Sequence, residues 1–205
     1  MTENKKSGKK LRILAAGDIH GDSGLARNLA EKARKEKVDL VILAGDITSP
    51  IETKNLLKPF KDEGKKVLLL PGNHDSFATI DFLAELYGMR NIHGYSIKMG
   101  EVGIFGAGGA LDFNTSEKEI FDTLKKGYDA LSGVKKKIMI THMHASGSKS
   151  EFSGIEGSGS IRRAIEKFHP EFLIHSHIHE AEGIEEKVGK TTIINVGRKG
   201  KIIEV

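Results

Sequence analysis

Apolar runs of strand length alternate along this chain with segments whose apolar positions recur at helical spacing. "LRILAAG" (11–17) reads as a buried strand, and "SGLARNLAEKARKEK" after it puts Leu25, Leu29 and Ala33 on one helical face. "VDLVILAG" (38–45) and "KKVLLLPG" (65–72) repeat the strand pattern, with helices expected over about 51–63 and 76–88. These strands are rich in Val, Ile and Leu at consecutive positions, so both of their faces must be covered. With helices between them, they predict a largely parallel sheet.

The middle of the chain is more β-like, with "YSIKM" and "EVGIFGAGG" separated by a glycine turn. A helix over about 116–132 then leads to a strand at "KKKIMIT" (135–141). A second helix, "SIRRAIEKF" (160–168), leads to a strand at "EFLIH" (171–175). The remainder holds three β-like pieces split at Gly189 and at Gly197 to Gly200, a meander or a pair of hairpins. The Gly/Ser-rich stretch at 143–160 is long for a compact domain and is expected to be a substrate-side lid or disordered. No repeat or linker divides the chain. The expectation is one domain over 10–205, preceded by a flexible basic tail at 1–9.

Composition narrows the chemistry. A chain of 205 residues that is 38% hydrophobic can bury a core. It has no apolar run long enough for a membrane span and no signal-peptide pattern at its basic start, so a cytoplasmic location is expected. The net charge is +4, but the lysines are scattered among acids and read as solvated surface rather than a nucleic-acid stripe. Cysteine is absent. Any metal must therefore be held by His, Asp, Glu or Asn.

The polar residues after the strands carry the functional signal. The strands run in turn into "GDIHGD", "GDIT", "GNHD", "THMH" and "SHIHE". Asp18, His20, Asp46, Asn73, His74, Asp75, His142, His177 and His179 thus follow carboxyl ends of apolar strands, the edge where open α/β sheets bind ligands. Each motif alone has an ordinary structural explanation, such as a helix N-cap or a turn. Five in order, all supplying only Asp, Asn or His, are hard to obtain from packing alone. Such residues suit a pair of cations, and a pair needs a bridging group. Asp46 is the natural bridge, while Asp18 and His20 share one loop and face one metal. No serine or cysteine stands in a nucleophile motif.

In that order, "GDIHG", "GDIT", "GNHD", "TH" and "SHIH" closely resemble the motifs of the calcineurin-like metallophosphoesterase superfamily, over residues 11 to about 197. The resemblance is greatest to small single-domain members. It implies an α/β fold of two packed mixed β-sheets flanked by helices in four layers. It further implies two divalent metal ions, Mn foremost, with Fe, Zn, Ni or Co as alternatives. Asp18, His20, Asp46 and His179 resemble the ligands of one; Asp46, Asn73, His142 and His177 resemble those of the other. His74 matches a catalytic acid near the leaving-group oxygen, and Asp75 the carboxylate that orients it. A hydroxide bridging the metals would then attack phosphorus in line. The implied function is hydrolysis of phosphodiester bonds in small phosphate esters, with a phosphomonoesterase as the alternative. A nuclease lacks a clear nucleic-acid-binding surface here, and a non-catalytic interaction module would have lost ligands that this chain keeps.

The chain departs from the pattern twice. "MHASG" follows His142 in place of a proline-rich turn, and Ser176 stands where Gly usually precedes the first ligand of "HSHIH". His144 is expected to be an exposed loop residue, with a contact to substrate or to a metal ligand as the alternative; His175 is expected to be a strand-end residue, and His93 and His169 structural. "FGAGGALDF" (105–113) is a candidate for the opposite wall of the site.

Overall fold

The computed structural model describes residues 10–49, 55–111 and 115–205; the expected tail at 1–9 lies outside them. The first half runs β1 (Arg12–Ala16), α1 (Ser23–Lys35), β2 (Leu40–Ala44), α2 (Lys58–Asp62), β3 (Val67–Leu70), α3 (Phe77–Tyr87) and β4 (Arg90–Asn91). A hairpin of β5 (Ser96–Met99) and β6 (Val102–Ala107) follows, then α4 (Glu117–Asp129) and β7 (Lys136–Thr141). The chain continues through α5 (Gly159–Phe168), β8 (Phe172–His175), β9 (Glu185–Val188), β10 (Thr191–Asn195) and β11 (Lys201–Glu204).

Two mixed sheets result. One has the order β11-β1-β2-β3-β4, the other β5-β6-β7-β8-β10-β9. Strands β1 to β4 run parallel, as do β6, β7, β8 and β10, with antiparallel strands at the margins. The alternation of side chains along each strand builds the layers. In β2, Val41 and Leu43 join the helix-facing core with Leu29 and Phe60. Leu40, Ile42 and Ala44 face the other way and meet Ile104, Ile138, Ile140 and Ile174 of the second sheet. Met139 and Leu173 leave that second sheet on its far side and pack with Leu124, Ile161 and Phe168 of α4 and α5. The sequence therefore folds into the expected four layers.

Local chemistry sets the helix ends. Asp22 caps α1 by accepting from Leu25 N at 2.8 Å. Ser116 and Glu119 form a reciprocal capping box at α4. His169, left-handed at φ 47°, ends α5 ahead of Pro170.

Three expectations change. The helix expected over about 51–63 is the single turn-and-a-half of α2, with 51–54 outside the described residues. The final three strands form no meander: β9 and β10 pair in one sheet, while β11 crosses to pair antiparallel with β1 in the other. The turn at Gly197 (φ 48°) and Gly200 (φ 65°) permits that crossing. The 143–160 stretch is a tied loop. Ser158 N donates to His144 O and Ser146 N to Ser158 O, both at 2.9 Å. The Glu117 carboxylate accepts from Ser158 Oγ and from the N–H groups of Gly159 and Ser160.

Candidate metal centre

The loops after β1, β2 and β3 on one sheet and after β7 and β8 on the other meet at a common edge. Backbone bonds lock them together: Asp18 N donates to Gly45 O at 3.0 Å, His20 N to Asp46 O at 2.8 Å and Ser176 N to His142 O at 3.1 Å. The glycines of the motifs make this closeness possible. A Cβ on Gly17 would fall 2.5 Å from Ser176 Oγ, and one on Gly72 would fall 2.1 Å from Asp46 Oδ1. Backbone strain is concentrated here too. Asp18, His20, Asp46 and His177 all have positive φ, between 48° and 73°. Non-glycine residues take that conformation only when their surroundings impose it, and such strain gathers at functional sites.

Two groups of donor atoms emerge, Asp18 with His20 and His179, and Asp46 with His142 and His177. Within each group the atoms lie within 4.8 Å of one another. Asp46 Oδ2 lies 3.4 Å from His142 Nε2 and 3.7 Å from His20 Nε2, so one carboxylate oxygen reaches both groups. Asn73 joins the second group, its Oδ1 3.0 Å from His142 Nε2, and His177 Nδ1 lies 3.2 Å from the same nitrogen.

The tautomer of His142 suits this cluster to a cation. Ala44 O, which can only accept, lies 2.9 Å from His142 Nδ1, so that nitrogen carries a hydrogen. Ser176 Oγ donates to the same carbonyl at 2.7 Å and sits 3.1 Å from His142 Nδ1. In the neutral ring, Nε2 is then a lone pair facing an amide oxygen, a carboxylate oxygen and another imidazole nitrogen. One proton cannot serve all of these acceptors. A divalent ion can, since ligands bound at about 2.1 Å lie roughly 3–3.4 Å from one another. The donor set fits divalent metal ions.

Charge and burial act against each other here. Burial would raise the Asp46 pKa, but His142 and the His74 N–H, which donates to Asp46 Oδ1 at 2.9 Å, hold it at about 2. Burial would lower His142, yet Asp46 and Asp18 keep it above its ordinary value. His177 is pushed down to about 4 by burial and by His142. His20 is also lowered, chiefly by burial. Burial raises Asp18, with Asp46 adding to it and His142 and His179 opposing.

The neighbours of these residues refine the expectations. His74 is exposed beside the donors, its ring 5.4 Å from that of His20. Asp75, expected to orient His74, makes its hydrogen bonds elsewhere. Asp75 is buried, and its carboxylate accepts from Thr48 Oγ1 at 2.7 Å, Thr48 N at 2.8 Å, Gly72 N at 2.9 Å and Ile47 N at 3.0 Å. Among the described residues no hydrogen bond joins it to His74. In this tight loop one side chain turns inward and its neighbour outward, so Asp75 clamps the β2 loop to the β3 loop. His144 is buried rather than exposed: its Nε2 meets Ile155 O at 3.2 Å, and among the described residues its Nδ1 has no hydrogen-bond partner. His175 ends β8 and is buried, with its Nδ1 on Ser176 O at 3.0 Å. Ser176 keeps negative φ, and its hydroxyl helps to fix His142, a role that side-chain size alone did not reveal.

A family model described as calcineurin-like phosphoesterase matches residues 11–181. No curated protein sequence matches significantly. Among solved structures, the fold is similar to that of a protein from Thermus thermophilus at TM-score 0.74 and 16% identity, covering 93% of this chain and 91% of that one. It is also similar to a dimetal phosphatase from Danio rerio at TM-score 0.62 and 12% identity, covering 91% and 87%. An archaeal phosphodiesterase matches at TM-score 0.55 and 17% identity, covering 95% and 98%. At such identities these likenesses speak for the fold alone. The family match, however, runs from β1 through His179 and takes in every residue of both donor groups: the chain belongs to the calcineurin-like phosphoesterase family.

Proposed function

We propose that this protein is a dinuclear metal-dependent phosphodiesterase acting on small phosphate esters. The observation that carries the reading is the pair of donor groups joined at Asp46, whose Oδ2 lies within 3.7 Å of an imidazole nitrogen in each. Asp18, His20 and His179 would hold one ion, Asn73, His142 and His177 the other, and Asp46 both. Mn²⁺ is the first candidate on the family resemblance, with Fe, Zn, Ni and Co as alternatives; carboxylate, amide oxygen and imidazole donors suit this group of metals. When bound, two such ions neutralise phosphoryl charge and generate a hydroxide nucleophile at neutral pH.

The chain's own residues supply the remaining chemistry. His74, exposed beside the donors, is the candidate to give a proton to the departing alkoxide. Asp75 holds the loop that carries Asn73 and His74 against the loop that carries Asp46. Ser176 and Ala44 O keep the His142 Nε2 lone pair turned toward the site.

The test is metal-stripped protein assayed on bis(4-nitrophenyl) phosphate. Chelation should abolish turnover and Mn²⁺ should restore it; undiminished turnover without metal sinks the reading. A panel of an aryl monoester, 2′,3′-cyclic nucleotides and single-stranded nucleic acid then separates diesterase from phosphatase and nuclease.

A further inference from the structure

A groove leaves the metal centre at Asn73 and follows the start of α3 away from it. Its first recess, about 290 Å³, is lined by Asn73, Phe77 and Thr115 among others. The next, about 190 Å³, shares Phe77 and Thr115 and adds His93 and Gly108. The far end, about 320 Å³, shares Phe77 and His93 and reaches Tyr95 and Lys126. Each recess shares lining residues with the next, so the three lie side by side.

The wall opposite Phe77 is held close by glycines of the "FGAGGALDF" stretch, of which 112–113 lie outside the described residues. Gly109 N donates to Pro71 O at 2.9 Å. A Cβ on Gly108 would fall 2.3 Å from that same carbonyl. The groove is therefore tied to the end of β3, one residue before the Gly72–Asn73 loop.

Two groups in it are uncommitted. Phe77 opens α3, four residues after Asn73, and remains 39% exposed at the groove. Its ring packs edge-on to His93 with centroids 4.6 Å apart. Gly108 N donates to His93 Nδ1 at 3.0 Å, so Nδ1 is the lone pair and Nε2 carries the hydrogen of the neutral ring. Burial, with the charge of Lys126 against that of Asp81, lowers the His93 pKa and favours that neutral form. Among the described residues Nε2 has no hydrogen-bond partner, and it is not sealed from solvent. An exposed ring beside a donor of fixed tautomer, in a groove that begins at a candidate metal ligand, matches one kind of ligand.

We propose that the groove receives the leaving group of the substrate, a planar heteroaromatic ring with a hydrogen-bond acceptor on its edge. That is the chemistry of a nucleobase, with the ring on Phe77 and the acceptor on His93 Nε2. The proposal rests on the phosphodiesterase reading above and names its substrate class as small nucleotide esters. Base stacking on an aromatic side chain is sequence-tolerant, and an N–H donor adds orientation.

The test measures calorimetric binding of adenosine 5′-monophosphate and ribose 5-phosphate to the Mn²⁺-loaded protein. The first should bind about tenfold more tightly, a typical gain from one stacked base. Phe77→Ala should bring the ratio near one, and His93→Leu, which keeps the Phe77 platform, should reduce it in part. Two variants, each checked by thermal melting, guard against misfolding. Equal affinities in the native sequence, or a ratio unmoved by both variants, overturn the subsite while leaving metal-dependent hydrolysis standing. Absence of Mn²⁺-dependent hydrolysis of bis(4-nitrophenyl) phosphate instead overturns the reading beneath it.

Discussion

Gly45 lies so close to His142 that a Cβ on Gly45 would fall 2.2 Å from the imidazole Nδ1. The glycine at the end of β2 is thus the seat of a ring carried by β7 on the other sheet. Its φ of 99° adds a second reason for glycine. Gly45→Ala should displace the His142 ring and cost about 1–3 kcal/mol through backbone strain alone. Metal content by elemental analysis should fall, most at the Asp46–His142–His177 group. A variant that melts and loads metal like the native protein would contradict this packing.

Asp75 clamps two loops with a buried carboxylate that accepts from Ile47, Thr48 and Gly72. Asp75→Asn replaces one accepting oxygen with a donor facing other donors. Thermal melting should show a loss of about 2–4 kcal/mol, as for a buried charge-assisted network. Metal affinity should weaken with it, because Asp46 and Asn73 ride on the clamped loops. If stability stays native and only the pH profile of turnover shifts, Asp75 acts on His74 after all.

His74 touches the centre through its backbone, donating N–H to Asp46 Oδ1, and leaves its ring exposed. His74→Ala keeps that N–H and should keep both metals. Turnover should fall about 10²–10⁴-fold for esters with poor leaving groups, the usual range for a lost general acid. Activated aryl esters, which need little protonation, should be affected far less. Loss of metal in this variant would make His74 a ligand instead.

Protons should destabilise the metal-free protein through His175. Burial lowers its pKa from 6.5 to about 3 in the folded chain. Above pH 6.5 both states are neutral and the residue adds no pH dependence. Below it the unfolded chain takes up a proton that the folded chain refuses, so stability falls by about 1.4 kcal/mol per pH unit. The decline runs from pH 6.5 toward 3, and His177, lowered to about 4, adds to it. Denaturant titrations between about pH 7 and 4 should show a steeper loss for the native chain than for His175→Leu. Parallel slopes would rule the residue out.

Much of this was legible because it is local. The consecutive apolar positions of "VDLVILAG" and "KKVLLLPG" mark strands covered on both faces, and β2 and β3 are buried at every position. The helix expected over about 116–132 is α4, which begins just after the Ser116 cap. The two-residue β4 escaped notice because so short a strand has no periodicity of its own. Of the helix expected across 51–63, Lys58–Asp62 is helical and residues 55–57 form a turn, while 51–54 lie outside the described residues.

The residue types for a metal centre, and the strand ends that bear them, were determined by the sequence, since "GDIHG", "GDIT" and "GNHD" each follow an apolar run. Their division between inward and outward roles was decided only by tertiary structure. Asp75 turned inward to hold loops, His144 went into the interior, and Ser176 took a place on His142 that Gly17, lacking a Cβ, leaves open. Asp46 came within reach of both donor groups only because two sheets pack with their carboxyl edges together. A one-dimensional pattern records which side chains a loop owns. Which of them meet is set by packing between residues far apart in the chain, and no local preference encodes that.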